Sequence, residues 1–157
     1  VTWSGPDYEK DYLAVAEPDA KGASEISYAY TRDGSPSQLK LPDQPGTYEV
    51  RYILHQSRNI LARQTIEVTP VQATLEVPAT AAAGSTIQVT WSGPDYEKDY
   101  LAVAEPDAKG SSEITYAYTK AGNPLNLKLP DEPGTYEVRY ILHQSRGILA
   151  RETIEVR

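Results

Sequence analysis

The feature that most constrains this 157-residue sequence is an internal repeat. Residues 1–68 align without a gap on residues 89–156, at a constant offset of 88, and the two copies differ at only ten positions. Sequences this similar fold alike, so we expect one structural unit to occur twice. We assign residues 1–70 to repeat 1 and residues 71–157 to repeat 2. Between them we predict a linker at 69–72, in which Pro70 limits the hinge.

Composition excludes several classes of protein. The chain has 22 acidic against 15 basic residues, a net charge of −7, so the basic patch that nucleic-acid binding needs is not evident. It has no cysteine, which excludes disulfides, thiol chemistry and thiolate metal sites. No run approaches the roughly 18 apolar residues of a membrane span. We therefore expect neither a nucleic-acid partner nor membrane insertion.

Hydrophobic residues alternate with polar ones along most of repeat 2, which is typical of half-buried strands. Glycine and proline turns separate these segments, and helical periodicity is absent. Seven short strands of this kind predict an all-β fold, specifically two tandem immunoglobulin-like antiparallel β-sandwiches. The predicted strands are Thr74–Val77, Thr86–Trp91, Asp99–Ala104, Glu113–Thr119, Leu125–Leu129, Thr135–Leu142 and Ile148–Val156.

The sequence before the sixth strand narrows the type of sandwich. Pro130-Asp131-x-x-Gly134-x-Tyr136 places a tyrosine just after a sharp corner, and Pro42 to Tyr48 repeat the pattern. This spacing resembles the tyrosine corner of immunoglobulin-like folds, in which the hydroxyl bonds back to the backbone of the corner. We expect such a corner in each repeat.

Repeat 1 begins at Val1, so it has no counterpart of the leading strand Thr74–Val77. We expect repeat 1 to be a sandwich without that strand. The chain also lacks an initiating methionine, so we expect it to be part of a longer protein. A strand supplied by another chain is an alternative that would fill the exposed edge by β-strand addition.

Several motifs carry a family resemblance. They are Trp-Ser-Gly-Pro-Asp-Tyr, Asp-Tyr-Leu-Ala-Val-Ala-Glu-Pro, Tyr-Ala-Tyr-Thr and Pro-Gly-Thr-Tyr-Glu-Val-Arg-Tyr-Ile-Leu, with a closing Ile-Leu-Ala-Arg, and both copies contain them. The sequence resembles the repeated β-sandwich modules of bacterial secreted or envelope proteins that also carry a von Willebrand factor A domain. That resemblance implies an extracytoplasmic accessory module, at the cell surface, in the periplasm or secreted. It transfers no catalytic residue.

Acidic residues spaced by two precede the strand that begins near Tyr12 or Tyr100. On an extended backbone they would share one face and could offer several oxygens to calcium, a speculative site. The alternative is a solvated acidic loop, since the segment lacks the glycine and closing glutamate of an EF-hand loop. The residues are Asp7, Glu9 and Asp11 in repeat 1 and Asp95, Glu97 and Asp99 in repeat 2.

The histidines do not form a recognisable catalytic arrangement. His55 and His143 each open a His-Gln-Ser-Arg turn, and no nucleophile elbow accompanies them. We read them as residues on the rim of a hairpin. No carboxylate pair is singled out either, and we expect no enzymatic activity.

Tyrosine is the abundant aromatic residue, with 12 tyrosines against two tryptophans and no phenylalanine. Tyr8 and Tyr12, with Tyr96 and Tyr100 in repeat 2, could form an exposed platform for a sugar or peptide, or simply pack structurally. The leading hypothesis is a non-catalytic module that spaces or presents a neighbouring domain at the bacterial envelope. The alternative is recognition of a surface protein or glycan through these loops, possibly assisted by calcium.

Overall fold

The alternating segments form strands joined by short turns. The computed structural model describes residues 1–22, 24–110 and 112–157. Within them the strands are β1 Tyr12–Ala16, β2 Ser27–Tyr30, β3 Gly46–Ile53, β4 Ile60–Val68, β5 Thr74–Glu76, β6 Thr80–Ala81, β7 Thr86–Ser92, β8 Tyr100–Ala104, β9 Thr115–Tyr118, β10 Leu125–Lys128, β11 Gly134–Ile141 and β12 Ile148–Val156. Two single-turn 3-10 helices, Thr31–Asp33 and Thr119–Ala121, follow β2 and β9. No helix in the described part of the chain has the length and apolar character needed to cross a membrane.

The chain divides into two compact units, Val1–Pro70 and Val71–Arg157. In unit 2 a three-stranded sheet has the order β10-β7-β5, and a five-stranded sheet has the order β6-β12-β11-β8-β9. All the pairings are antiparallel except that of β6 with β12. Unit 2 thus confirms the expected all-β antiparallel sandwich.

The core of unit 2 lies between its two sheets and consists of the inward residues of each alternating pattern. Each fully buried aliphatic side chain contributes about 1.5–3 kcal/mol relative to an exposed one. Trp91 is only half-buried at the margin of the core, where its ring centroid lies 5.8 Å from that of Tyr140. The central members include Val89, Leu101, Val103, Leu127, Val138, Tyr140 and Ile154.

The expected tyrosine corner is present in both units. The Tyr136 hydroxyl donates a hydrogen bond of 3.1 Å to the carbonyl oxygen of Glu132. Tyr48 makes the same bond, also of 3.1 Å, to the carbonyl oxygen of Gln44. The bond satisfies a hydroxyl that would otherwise be buried without a partner, and it fixes the turn that leads into β3 and β11.

The strand β6 is not among the predicted strands. Thr80 and Ala81 form it by pairing in parallel with Glu155 and Val156. Alanine and threonine at these positions show no hydrophobic alternation, so the strand depends on the neighbouring edge of β12 rather than on a local pattern.

Unit 1 differs from the expected sandwich. Its strands form one four-stranded sheet in the order β2-β1-β3-β4, and neither Val1–Ser4 nor Ser37–Lys40 is a strand. In unit 2 the matching segments pair Thr86–Val89 with Leu125–Lys128. In unit 1 only Val1 corresponds to that ladder, and it exchanges two hydrogen bonds of 2.8 Å with Ser37.

Core burial weakens accordingly in unit 1. Leu129 is 1% exposed, whereas its counterpart Leu41 is 37% exposed. Leu127 is fully buried and its counterpart Leu39 only partly. A strand without a neighbour has no ladder to hold its apolar residues against the facing sheet, which explains the difference between two nearly identical sequences.

Candidate functional site

The calcium hypothesis assumed that the acidic segments before β1 and β8 are extended, which would place their carboxylates on one face. Their backbone is not extended. Asp95 and Lys98 have φ values of 52° and 65°, and the equivalent residues of unit 1 have φ values of 52° and 64°. The left-handed turn separates the carboxylates. Asp11 and Asp99 are buried, whereas Glu9 and Glu97 are exposed. The premise of the calcium hypothesis is therefore wrong.

Asp99 instead ties loops together. It is 1% exposed, and its Oδ2 accepts hydrogen bonds from the Tyr96 amide at 3.0 Å and the Tyr140 hydroxyl at 3.1 Å. Its Oδ1 accepts one from the amide of His143 at 3.0 Å. Asp11 repeats all three contacts in unit 1. The described residues contain no group of three or more histidine, aspartate or glutamate side chains that could hold a metal ion.

Asp95 lies in the same loop and stabilises the 3-10 turn after β9. Its Oδ1 accepts a 2.6 Å hydrogen bond from the Thr119 hydroxyl, and its Oδ2 lies 3.1 Å from the Lys120 ammonium. The Thr119 hydrogen bond, with a further contribution from Lys120, lowers the pKa of Asp95. Asp7 accepts the equivalent threonine bond, from Thr31. Asp7 and Asp95 therefore join their loops to the 3-10 turn that follows β2 or β9.

A fully buried arginine holds the loop after β8. The Arg139 guanidinium donates to the carbonyl oxygens of Ala108 at 2.7 Å, Glu105 at 2.9 Å and Pro106 at 3.1 Å. It also forms an ion pair of 2.8 Å with Glu137. Arg51 makes the same set of contacts in unit 1. Sequence reasoning did not single out either arginine, because on a strand a charged residue ordinarily faces water.

The predicted tyrosine platform is not assembled as expected. Tyr8 is 66% exposed, but Tyr12 is buried in β1, and unit 2 repeats this split with Tyr96 exposed and Tyr100 buried. Tyr8 and Tyr12 therefore do not form one exposed surface, and neither do Tyr96 and Tyr100. The reason is that β1 and β8 are covered on both faces, so a residue that follows the loop directly enters the interior.

The exposed aromatic surface lies on β2 and β9 instead. In unit 1 it borders a cleft of about 150 Å³, which we call the tyrosine cleft. The ring of Tyr28 packs edge-on against Tyr12 and Tyr30, with centroid distances of 5.7 and 5.5 Å. Aromatic quadrupoles favour this geometry. The lining residues are Tyr12, Glu25, Tyr28, Tyr30, His55 and Arg58.

Unit 2 reproduces the same group of side chains. Tyr116 lies 5.6 Å from Tyr100 and 5.5 Å from Tyr118 between ring centroids, again edge-on. Arg146 donates a 2.9 Å hydrogen bond to the Tyr100 hydroxyl, as Arg58 does to Tyr12 at 2.8 Å in unit 1. The geometry is thus preserved across the repeat.

A glutamate in each unit has a buried oxygen without a partner. Oε2 of Glu25 and Oε2 of Glu113 accept no hydrogen bond, unlike the other buried side-chain oxygens among the described residues. Leaving a buried polar atom unsatisfied costs about 1–3 kcal/mol, and more when it is charged. The same cost at both equivalent positions marks the tyrosine cleft as the best candidate for a functional site.

The sequence contained a partial signal for this site. The period of two along the predicted strand Glu113–Thr119 puts Ile114, Tyr116 and Tyr118 on one side, and all three are exposed. Alternation does not tell which face turns towards the core, so the surface could be found only by knowing which side of the sheet is covered.

A second, wider groove of about 390 Å³ runs beside the tyrosine corner of unit 2. Glu105, Glu132 and Lys128 line it together with the apolar side chain of Ile114. Its charged groups are spread along an open surface, and it lacks the unpartnered buried oxygen that distinguishes the tyrosine cleft.

Alkaline pH should destabilise unit 2 through Tyr140. Burial, with a further contribution from Asp99, raises the pKa of its hydroxyl above the ordinary value of 10.0. Above pH 10 the unfolded chain loses this proton while the folded chain keeps it, so the folded state binds more protons and stability falls as pH rises. This contribution to stability is fully present below pH 10.

We therefore expect the free energy of unfolding of unit 2 to decline between about pH 10 and pH 12, and to decline less steeply in Tyr140→Phe. Urea denaturation at a series of pH values measures both slopes, followed by the fluorescence of Trp91, which packs 5.8 Å from residue 140, in a Trp3→Phe background. Lysines titrate in the same range but are common to both proteins. Equal slopes in the two proteins would contradict this role of Tyr140.

Neither a protein-family model nor a curated protein matches this chain.

Proposed function

We propose that this chain is a non-catalytic structural and interaction module, which spaces or presents a neighbouring domain at the bacterial cell envelope or surface. The observation that carries the proposal is the use of its buried charges. Asp99 and Arg139 direct their hydrogen bonds into the loops at the ends of unit 2, and Asp11 and Arg51 do the same in unit 1.

Such contacts favour a rigid module over a reactive one. A catalytic acid or base must reach a substrate and exchange a proton with it. Asp99 and Arg139 are buried and engage the protein's own backbone. The extracytoplasmic location rests on the resemblance to repeated modules of bacterial secreted and envelope proteins.

The spacer function predicts a narrow distribution of distances between the two units. Gln56 and Gln144 are exposed at equivalent positions, and the chain has no cysteine. Spin labels on the double variant Gln56→Cys and Gln144→Cys therefore report one distance by pulsed electron resonance. We expect a narrow distribution that broadens in Pro70→Gly, because glycine removes the φ restriction of proline. A broad distribution already in the parent chain would overturn the spacer function.

A second candidate function is recognition of a protein or glycan at the cell surface. Tyr28 and Tyr116, each 54% exposed, favour it because they lie at equivalent positions, Tyr28 in the tyrosine cleft of unit 1 and Tyr116 in the matching group of side chains of unit 2. Tyrosine and arginine dominate the energetic centres of many binding surfaces, since both combine apolar area with hydrogen bonding.

A further inference from the structure

The size of the tyrosine cleft limits its ligand. About 150 Å³ is several times the space that one water molecule needs. It is smaller than the roughly 300–1,000 Å³ of pockets that enclose drug-sized ligands. The cleft therefore suits one ring or one side chain, with the remainder of a larger ligand outside it.

The hydrogen-bonding groups of the cleft are of both kinds. Glu25 lines the cleft with a carboxylate whose Oε2 has no donor and is covered in the free protein. Arg58 lines the same cleft as a hydrogen-bond donor. The hydroxyls of Tyr28 and Tyr30 both donate and accept. A ligand that matches these groups must itself carry several donors and acceptors.

Charge argues against an ionic ligand. The guanidinium carbon of Arg58 lies 5.6 Å from the ring centroid of Tyr12, and that of Arg32 lies 5.1 Å from that of Tyr30. Two of the three rings thus already carry a cation, which would repel an ammonium ligand. An anion would meet the Glu25 carboxylate. A neutral ligand avoids both repulsions.

Sugars combine these properties. A pyranose ring carries hydroxyls around its edge and polarised C–H groups on its faces, and the C–H groups contact the negative face of an aromatic ring favourably. We infer that the tyrosine cleft of unit 1, and its equivalent in unit 2, bind one neutral sugar residue. Tyr28 and Tyr116 contact its ring. Rotation of the Glu25 and Glu113 side chains on binding uncovers their unpartnered Oε2 atoms, which then accept its hydroxyls. This inference rests on the second candidate function and not on the spacer function.

The test uses the full chain and four separate probes, the methyl glycosides of glucose, galactose, mannose and N-acetylglucosamine. Saturation-transfer NMR detects binding, and the shifts of tyrosine ring protons locate it. We expect at least one glycoside to bind with a dissociation constant on the order of 1 mM. The double variant Tyr28→Ala and Tyr116→Ala should bind it about tenfold more weakly, and Glu25→Gln with Glu113→Gln should also weaken it.

The matched control is Tyr8→Ala with Tyr96→Ala, which removes two exposed tyrosines outside the cleft and should leave binding unchanged. Hydrogen exchange in β1 and β3 of unit 1 and in β8 and β11 of unit 2 verifies that both units of each variant are folded. The inference would be overturned if none of the four glycosides gave a saturation-transfer signal. It would also be overturned if a glycoside bound the Tyr28→Ala and Tyr116→Ala double variant as well as it binds the parent protein. Tight binding of tetramethylammonium or acetate in their place would also overturn it. The spin-label distance tests the spacer function independently, because it does not depend on whether a glycoside binds.

Discussion

Replacing Arg139 with methionine is expected to lower the free energy of unfolding of unit 2 by about 3–5 kcal/mol, the usual cost of removing one partner from a buried ion pair. The carbonyl oxygens of Glu105, Pro106 and Ala108 would lose their donors. Methionine fills most of the volume of arginine but donates no hydrogen bond. Urea denaturation, with hydrogen exchange read at the amides of β8 and β11, measures the loss in unit 2 alone.

Arg151→Met is the matched control for this prediction. Arg151 lies directly across from Arg139 in the sheet and contacts the same Glu137 carboxylate at 3.4 Å, but its side chain is exposed. We expect it to change stability by no more than about 0.5 kcal/mol. Arg139→Lys should fall between the two, since a single ammonium cannot reach all the carbonyls that a planar guanidinium reaches. Equal effects of Arg139→Met and Arg151→Met would refute the assigned role.

The second large effect is expected for Asp99→Ala, at about 3 kcal/mol. The substitution removes the acceptor of three hydrogen bonds. The donors left without it are the backbone amides of Tyr96 and His143 and the hydroxyl of Tyr140. It therefore loosens two loops that are far apart in sequence. The same measurement applies, and faster exchange of the His143 amide should accompany the loss.

Asp99→Asn keeps the shape of the side chain but replaces one acceptor oxygen with a donor amide. We expect about half the loss, because an amide oxygen can still accept from one side. Glu97→Gln, two residues away and exposed, serves as the control and should lie within about 0.5 kcal/mol of the parent protein. A loss for Asp99→Ala as small as for Glu97→Gln would show that the buried carboxylate is not a structural tie.

The strands themselves could be predicted because their signal is local. Glycine and proline turns bound segments that alternate with a period of two, and most predicted strands of unit 2 lie within two residues of the observed ones. The tyrosine corner could be predicted for the same reason, because its hydrogen bond joins Tyr136 to Glu132 only four residues earlier. The strand β6 could not, because only its neighbour β12 makes it a strand.

Both repeats also show the limit of sequence similarity. Leu39 and Leu127 both lie in a Leu-Lys-Leu segment, preceded by Ser37-Gln38 in one copy and by Leu125-Asn126 in the other, yet only Leu127 lies in a strand and is fully buried. The difference arises from β7, whose Thr86–Val89 segment pairs with β10. A strand is stabilised by its partner as much as by its own residues, so similar segments can differ in structure where the partner differs.

The sequence by itself determined that this chain holds two copies of one all-β unit and which residues share each face of a strand. Only the tertiary structure decided which faces are covered. It buried Tyr12 and Asp11, left Tyr28 exposed, and gathered Glu25 and Arg58 around one cleft. The physical reason is that period two fixes the relation between neighbouring side chains, whereas burial depends on loops and strands that come from distant parts of the sequence.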